Sequence, residues 1–562
     1  MKLKNIFLSA LAVVTLASCS DQMDYKEYSI YDTAYMQKKF ERAGGFLSTI
    51  YADLDSDFGN YSGATLASAT DEAVYSHDGN AIESFFNGAW SPTNANSSLW
   101  TTCYHGIAYC NMFLDEFTGL KFEDYVLDKN YDAEMYQYNN YQFEARWARA
   151  YFYFLLVRQY GGVPLITTNM SAEEASVQPR ATADEVFAFI DSECEAIKDT
   201  ITKDYGDLGN LEMSPANNGR ANKLAVLALR ARAALYHASP LFNESNNQAL
   251  WQKAAEANKA VIDACSARGM KLSNDYKGLF IGNTSWSDAG ALGEIIFCRR
   301  MPTENNTFET YNFPVGISGA GAGGGGGNCP TQNLVDAYEK DETGTVIDKR
   351  FAQTIACNGD SWPNANTIPL ETYIGGVNGL PTAYATPTSY YLKKYVTESV
   401  QIAGNGANTC KHVWVTFRLG EFYLNYAEAL FNLAGSGYTA PSGFPNTATA
   451  AYFINQIRKR AGLGNLEEGL SASEFKAKYE KERFVELAFE GHRFFDVRRW
   501  KEADKYFKTI YGLQITKNAD DTFSESKIVV QNRQWNDKMY LFPIPQSEIL
   551  KSGNVLTQNP GW

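Results

Sequence analysis

Apolar residues recur at intervals of three and four over both ends of the chain and lose that rhythm in its middle. Trp100, Tyr104, Ile107, Asn111 and Leu114 fall on one face, as do Phe143, Trp147, Ala150, Phe154 and Val157; this is the spacing of amphipathic helices. Leu224, Leu227, Ala231 and Leu235 make a third stripe, and Ala254, Ala255, Val261 and Ala264 lie in a fourth helical segment. The rhythm resumes with Leu419, Phe422, Tyr423, Tyr426, Leu430 and Leu433, then Phe453, Ile454 and Ile457. Trp100 and Trp147 sit on the stripes and belong to the core. The segments predict helices in pairs, 141–160 with 182–197, 221–237 with 249–264, and 418–434 with 447–460. Small residues such as Ala145, Ala228, Ala231 and Ala427 let paired helices approach closely.

Helix pairs with small residues at their contacts are the pattern of a tetratricopeptide array. The spacing departs from that repeat's period of about 34 residues, so the reading is a mainly α, degenerate tetratricopeptide-like scaffold, with a general helical bundle as its competitor. Between 266 and 412 the sequence turns rich in Gly, Asn, Pro and Thr, which predicts large irregular, loop-rich insertions with a few short strands. Within this stretch Pro330-Thr331 opens a short helix through Leu334, Val335 and Tyr338. The run Gly319 to Gly327 contains a formal GxGxxG, but no βαβ unit precedes it, as the dinucleotide fingerprint requires. It reads as a flexible loop. The chain thus divides into a helical part over 31–265 with a loop insertion near 55–97, an irregular segment over 266–412, and a second helical part over 413–562.

Hydrophobic residues make up 45% and charged residues 20% of the chain, the balance of a folded protein and not of a disordered one. A net charge of −14, with Asp and Glu scattered throughout, argues against nucleic acid, whose binding needs clustered Lys and Arg. It argues equally against docking on an anionic lipid surface. The cysteines show no CxxC and no zinc-type spacing. Cys103 and Cys110 share one predicted helix about 10 Å apart along its axis, beyond the roughly 7 Å Cα limit for a disulfide. Cys194, Cys265 and Cys298 read as small buried hydrophobes.

No constellation assembles into an enzyme. Glu482, Glu486 and Glu490 form an i+4 acidic stripe followed by Arg493, Asp496, Arg498 and Arg499. A glycosidase or di-metal centre would want such carboxylates facing a cavity, whereas the neighbouring arginines point to a structural ion-pair network. Asp53, Asp55 and Asp57 imitate the opening of a calcium loop, but Phe58 replaces its glycine and no Glu closes it. The five histidines form no HExxH, and no GxSxG elbow occurs. Neither a metal nor a cofactor is expected. What stands out is the rings in the irregular segments: Phe58, Tyr61, Tyr75 and Trp90, then Trp286, Phe308, Tyr311, Trp362 and Tyr373. Flat aromatic faces flanked by Asn, Asp and Thr suit a ligand apolar on its ring faces and hydroxylated at its edges, as a sugar is. Trp90, Trp286, Tyr75, Tyr311, Phe308 and Trp362 are therefore the candidate ligand-binding residues, although each ring taken singly also reads as packing.

At the N-terminus, Lys2 and Lys4, an apolar run from Ile6 to Leu16 and the small residues Ala17-Ser18 lead to Cys19. This is a lipoprotein signal peptide over 1–18, followed by a tether over 19–30. The apolar run is too short to span a bilayer, which takes about 20 residues, so acylated Cys19 is the expected anchor.

Several further segments complete the picture: Glu144-Ala-Arg-Trp-Ala-Arg-Ala-Tyr151, Tyr160-Gly-Gly-Val-Pro-Leu165, and Gly219-Arg-Ala-Asn-Lys223 leading to Leu235-Tyr-His-Ala-Ser-Pro-Leu-Phe-Asn243. In the C-terminal part stand Arg418-Leu-Gly-Glu-Phe-Tyr-Leu-Asn-Tyr-Ala-Glu-Ala429, Glu482 to Arg493 with Asp496 and Arg499-Trp500, Leu541-Phe-Pro-Ile-Pro545 with Glu548-Ile549, and Gln558-Asn-Pro-Gly-Trp562. Over nearly its whole length the chain resembles the SusD/RagB family of surface lipoproteins. Ser20-Asp21 and Asp24 resemble the acidic tether that directs such proteins to the cell exterior. The resemblance implies a non-enzymatic, outer-membrane protein with a tetratricopeptide-like scaffold. Its loop-rich face would capture a glycan, or a peptide as some relatives do, for a SusC-like TonB-dependent transporter. The family's motifs are scaffold motifs and carry no ligand residue across.

Overall fold

The computed structural model describes residues 32–97, 99–203, 219–281, 293–301, 303–317, 324–363, 369–404 and 406–562. Cys19 with its leader, and Trp286, lie outside them. Local sequence signals account for the helix boundaries. Thr182 caps Ala183–Ile197 in a reciprocal pair with Glu185, and Ser471 with Glu474 does the same for Ala472–Glu486, each box satisfying amides that a helix start leaves unpaired. Gly435 closes Leu419–Ala434 at φ 64°, a left-handed cap where a side chain would be strained.

The helices stack in chain order. Leu99–Glu116 packs on Tyr131–Tyr160, which packs on Ala183–Ile197, then Lys223–Ala238, then Gln248–Ala267. The next layer is Leu419–Ala434, followed by Ala450–Arg460. All three expected pairs form, and the array continues from residue 267 to residue 419 as if the intervening chain were an insertion. This is a tetratricopeptide-like scaffold rather than a general bundle, since each helix leans mainly on its neighbours in sequence. Trp100 and Trp147 are buried in it, and the Trp147 indole donates to Ala225 O at 3.1 Å.

Among the described residues the strands pair two by two, all antiparallel: Ala73–Tyr75 with Asn328–Pro330, Ile295–Arg300 with Val413–Arg418, Ile355–Ala356 with Tyr391–Leu392, and Thr509–Lys517 with Phe523–Asn532. Thr331 caps the short helix Gln332–Ala337 as expected. The irregular segment has a core of its own, built from Phe280, Phe313, Trp362, Tyr391 and Trp414 with Phe484 and Phe489. The acidic stripe does form an ion-pair network, as expected, but with cations remote in sequence and not with the arginines that follow it, of which Arg493 pairs with Asp71 and Arg499 with Glu428. Arg350 reaches Glu482 and Glu486 at 2.6 and 2.9 Å, Arg418 binds Glu294, Glu486 and Glu490, Arg460 binds Glu486, and Lys394 binds Glu490 at 2.7 Å. Arg350, Lys394 and Glu294 come from the irregular segment, so the network clamps it to the scaffold.

The acidic triplet near residue 55 scatters. Asp53 pairs with His105 at 2.7 Å, Asp55 accepts from Tyr151 at 2.6 Å, and Asp57 accepts from the Leu66 amide at 2.9 Å. All eight cysteines among the described residues are free thiols, Cys103 and Cys110 included. The glycine run departs from expectation. Gly324 to Gly327 are held rather than loose: the Gly325 and Gly326 amides donate to Thr310 O and Phe313 O at 2.8 and 3.0 Å. The rest of that run, up to residue 323, lies outside the described residues.

Candidate functional site

The Ala73–Tyr75 strand pairs with Asn328–Pro330 so that Tyr75 lies opposite Asn328, and Ser76 extends the ladder to Gly327 O at 2.9 Å. Alternation along extended chain sends Tyr75 and His77 to one side. The His77 ring bonds Gly325 O at 2.6 Å and stacks on Tyr75 with centroids 5.1 Å apart. On its other side lies Tyr384, nearly parallel at 7° and 4.0 Å away. The result is a three-ring stack with Tyr75 at its buried base and Tyr384, 57% exposed, at its top. Tyr311, 37% exposed, stands beside the base on the short helix Thr307–Asn312.

Glycine makes this assembly possible. A Cβ on Gly63 would lie 2.2 Å from the Tyr75 hydroxyl and 2.9 Å from the Tyr311 ring, and one on Gly326 would lie 2.1 Å from Tyr384 O. Beneath the stack, Asn328 is a fully buried hub. Its amide group donates to Gly63 O and Asn312 Oδ1, and its carbonyl accepts from the Thr65 amide and the Ser68 hydroxyl. Burial, reinforced by the neighbouring Tyr311, pushes the Tyr75 phenol up to about 12, so it stays a neutral donor, bonded to Ser62 O at 3.2 Å. Tyr384 closes a loop that also exposes Ile374, Val377 and Leu380. That loop is fixed by Asn378, whose amide donates to Val315 O and whose carbonyl oxygen accepts from Tyr391. Exposed Asp78 and Thr310 flank His77 and Tyr311 in sequence. Apolar faces rimmed by such groups suit a sugar's two kinds of surface.

Of the six candidate rings, the structure brings Tyr75 and Tyr311 together and adds His77 and Tyr384, which sequence reasoning missed. His77 had a signal, its i+2 spacing from Tyr75; Tyr384 had none, since only the fold joins it to the stack. Three other rings are corrected to packing positions. Trp90 is 2% exposed because the C-terminal tail covers it: Phe542 and Trp562 stand edge-on at 4.7 and 5.0 Å. Phe308 packs against Phe58 and Trp362 against Phe313, both inside the second core.

A second concavity, about 540 Å³, opens between the loop insertion and the scaffold, lined by Asp55, Asp57, Arg158, Arg232, Tyr236 and His492. Its charges are largely paired, Asp55 with Arg158 and Arg232 with Glu421. Asp57 is the exception, with Oδ1 lacking a partner and burial pushing its carboxyl up to about 8.

Two family models match, one described as the SusD family over residues 293–562 and one as starch-binding associating with the outer membrane over residues 23–235. The chain belongs to the SusD/RagB family. Among its relatives is SusD-like protein P2 of Formosa agariphila, 25% identical over 75% of this chain and 73% of that protein. A SusD-like protein of Bacteroides fragilis superposes with a TM-score of 0.73 at 23% identity, covering 94% of this chain and 98% of that one. The surface glycan-binding protein A of Bacteroides fluxus does so at 0.62 and 21%, covering 93% and 99%. SusD/RagB motifs now have structural roles. Glu144 takes a two-pronged bond from Arg220, Arg499 and Trp500 converge on Glu428, and Asn559 of the tail bonds Tyr160 O and Phe542 O.

Proposed function

We propose that this SusD/RagB protein is a cell-surface glycan-binding lipoprotein. It captures an oligo- or polysaccharide on the Tyr75–His77–Tyr384 stack with Tyr311 and delivers it to a SusC-like TonB-dependent transporter for nutrient uptake. Acylated Cys19 anchors it to the outer membrane, facing the cell exterior. The observation that carries this reading is Tyr384: an aromatic face left open at the top of a rigid ring stack, on a loop whose every turn is hydrogen-bonded. A pre-formed face avoids the ordering cost that a mobile loop would incur on binding. The glycan-binding names of the Bacteroides relatives point the same way.

In this reading the Glu482–Glu486–Glu490 stripe takes no part in cleavage. Hydrolysis would need a carboxylic acid with raised proton affinity beside a second carboxylate. Glu486 offers the reverse: burial opposes its charge, but Arg460, Arg418 and Arg350 outweigh burial and hold the carboxyl far below its ordinary range. The reading is tested by affinity electrophoresis of the purified protein in gels containing single polysaccharides, with reducing-end assays on the same mixtures. Retardation by at least one glycan without new reducing ends is expected. Retardation by none, with binding to peptide mixtures instead, would replace the glycan with a peptide.

A further inference from the structure

The turn that carries Tyr311 is fastened from below by a cluster outside the ring stack. Glu309, Cys410 and His412 are all buried, and their donor atoms converge. Cys410 Sγ lies 3.5 Å from His412 Nε2 and 3.6 Å from Glu309 Oε1, and His412 Nε2 lies 3.0 Å from Glu309 Oε2. We propose that these three side chains form a structural site for a borderline divalent metal ion of the zinc type.

Geometry favours a metal over a catalytic triad. A relay would use both imidazole nitrogens, one toward the nucleophile and one toward the acid, whereas here the thiol and the carboxylate meet the same Nε2. No substrate could reach a thiol enclosed in this way. Zinc bonds of about 2.3 Å to sulfur and 2.0–2.2 Å to nitrogen and oxygen place tetrahedral donors roughly 3.3–3.6 Å apart; the two separations from Cys410 Sγ match this, and the 3.0 Å between His412 Nε2 and Glu309 Oε2, a hydrogen bond without the ion, would open slightly around it. The mixed S, N and O donor set suits zinc better than magnesium or calcium, which take oxygen alone. Thr397 Oγ1, 3.5 Å from the same sulfur, adds an oxygen beside the cluster. Around it stands the apolar shell expected of a closed site: Phe58 meets the His412 ring edge-on at 5.7 Å, and Phe308 and Trp414 pack against Phe58. Binding converts the thiol to a thiolate and takes the place of the proton that His412 Nε2 shares with Glu309, and both protons leave to solvent. The ion would tie the Thr307–Asn312 helix to the chain leading into Val413–Arg418, and so brace Tyr311. A search for zinc spacing misses the set, because Glu309 is remote in sequence from Cys410 and His412.

Untagged full chain, stripped with chelator and dialysed, is titrated with Co²⁺ and with Zn²⁺ while absorbance and bound metal are followed. One equivalent should bind, with a thiolate-to-cobalt band that Zn²⁺ displaces. Cys410→Ser should abolish that band, and both it and His412→Gln should weaken binding by roughly 100-fold, outer partners alone contributing about 10–100-fold at such sites. Cys357→Ser, at a thiol elsewhere, should change nothing. If the folded parent, checked by circular dichroism, binds less than a tenth of an equivalent, or if the band survives in Cys410→Ser, the site does not exist. Neither result depends on whether a glycan binds.

Discussion

Tyr384 holds a backbone that side chains seldom adopt, φ 62°, and residues of this kind persist only where the surroundings fix them. Here His77 stacks beneath the ring, and Gly326 leaves room for the Tyr384 carbonyl. An open ring in a strained position is better explained by what it faces than by what it packs on. Asp57 shows a second residue under constraint. Its carboxyl titrates near 4 in the unfolded chain and about 8 in the folded one, because burial disfavours its charge. Between those values the folded state holds more protons, so Asp57 makes stability fall as pH rises from about 4 to 8. Asp57→Asn removes this contribution and can still accept from Leu66. Its melting temperature relative to the parent should therefore be higher at pH 8 than at pH 5. An offset equal at both values would mean that Asp57 is ionised in the fold.

At the scale of elements, the acidic stripe was legible because i+4 spacing is a local property, but the arginines that follow it in sequence pair elsewhere, Arg493 with Asp71 and Arg499 with Glu428 and Asp496. The stripe's own partners were not legible, for Arg350, Arg418, Arg460 and Lys394 arrive from elsewhere in the fold. Glu486→Gln would leave Arg418, Arg350 and Arg460 short of a carboxylate. Removing one partner from a buried network costs about 3–5 kcal/mol, to be read from the midpoint of denaturant unfolding. A loss under about 1 kcal/mol would make the network dispensable. The pH sign is opposite to that of Asp57. A carboxyl held low in the fold stabilises it above the unfolded value near 4 and loses that contribution as pH falls. Glu428, drawn down to about 2 because Arg499 and Arg483 outweigh burial, acts in the same direction. Acid unfolding of Glu486→Gln should accordingly be shallower than that of the parent below pH 4.

For the molecule as a whole, the helix pairs and the division between scaffold and irregular segment could be read from periodicity, since a stripe facing a neighbour repeats every three or four residues. The face proposed to meet ligand could be read only in part. A ring's role depends on what covers it, and that is a property of distant sequence. Trp90 is hidden by Trp562 and Phe542 at the far end of the chain, while His77 and Tyr384 come together across more than half of its length. The same reason hid Glu309 from Cys410 and His412. The segments Glu144–Tyr151, Arg418–Ala429 and Gln558–Trp562 lie in the scaffold's buried ion pairs and tail contacts, which hold the shape of the platform beneath its aromatic surface. The most direct test of the capture surface is calorimetric titration of a retarding glycan into the parent and into Tyr384→Ala. Loss of a stacked ring is worth about 0.5–1.5 kcal/mol, so Kd should rise roughly two- to tenfold with the melting temperature held within about 2 °C. An unchanged Kd in a variant of unchanged stability would place the glycan elsewhere on the protein.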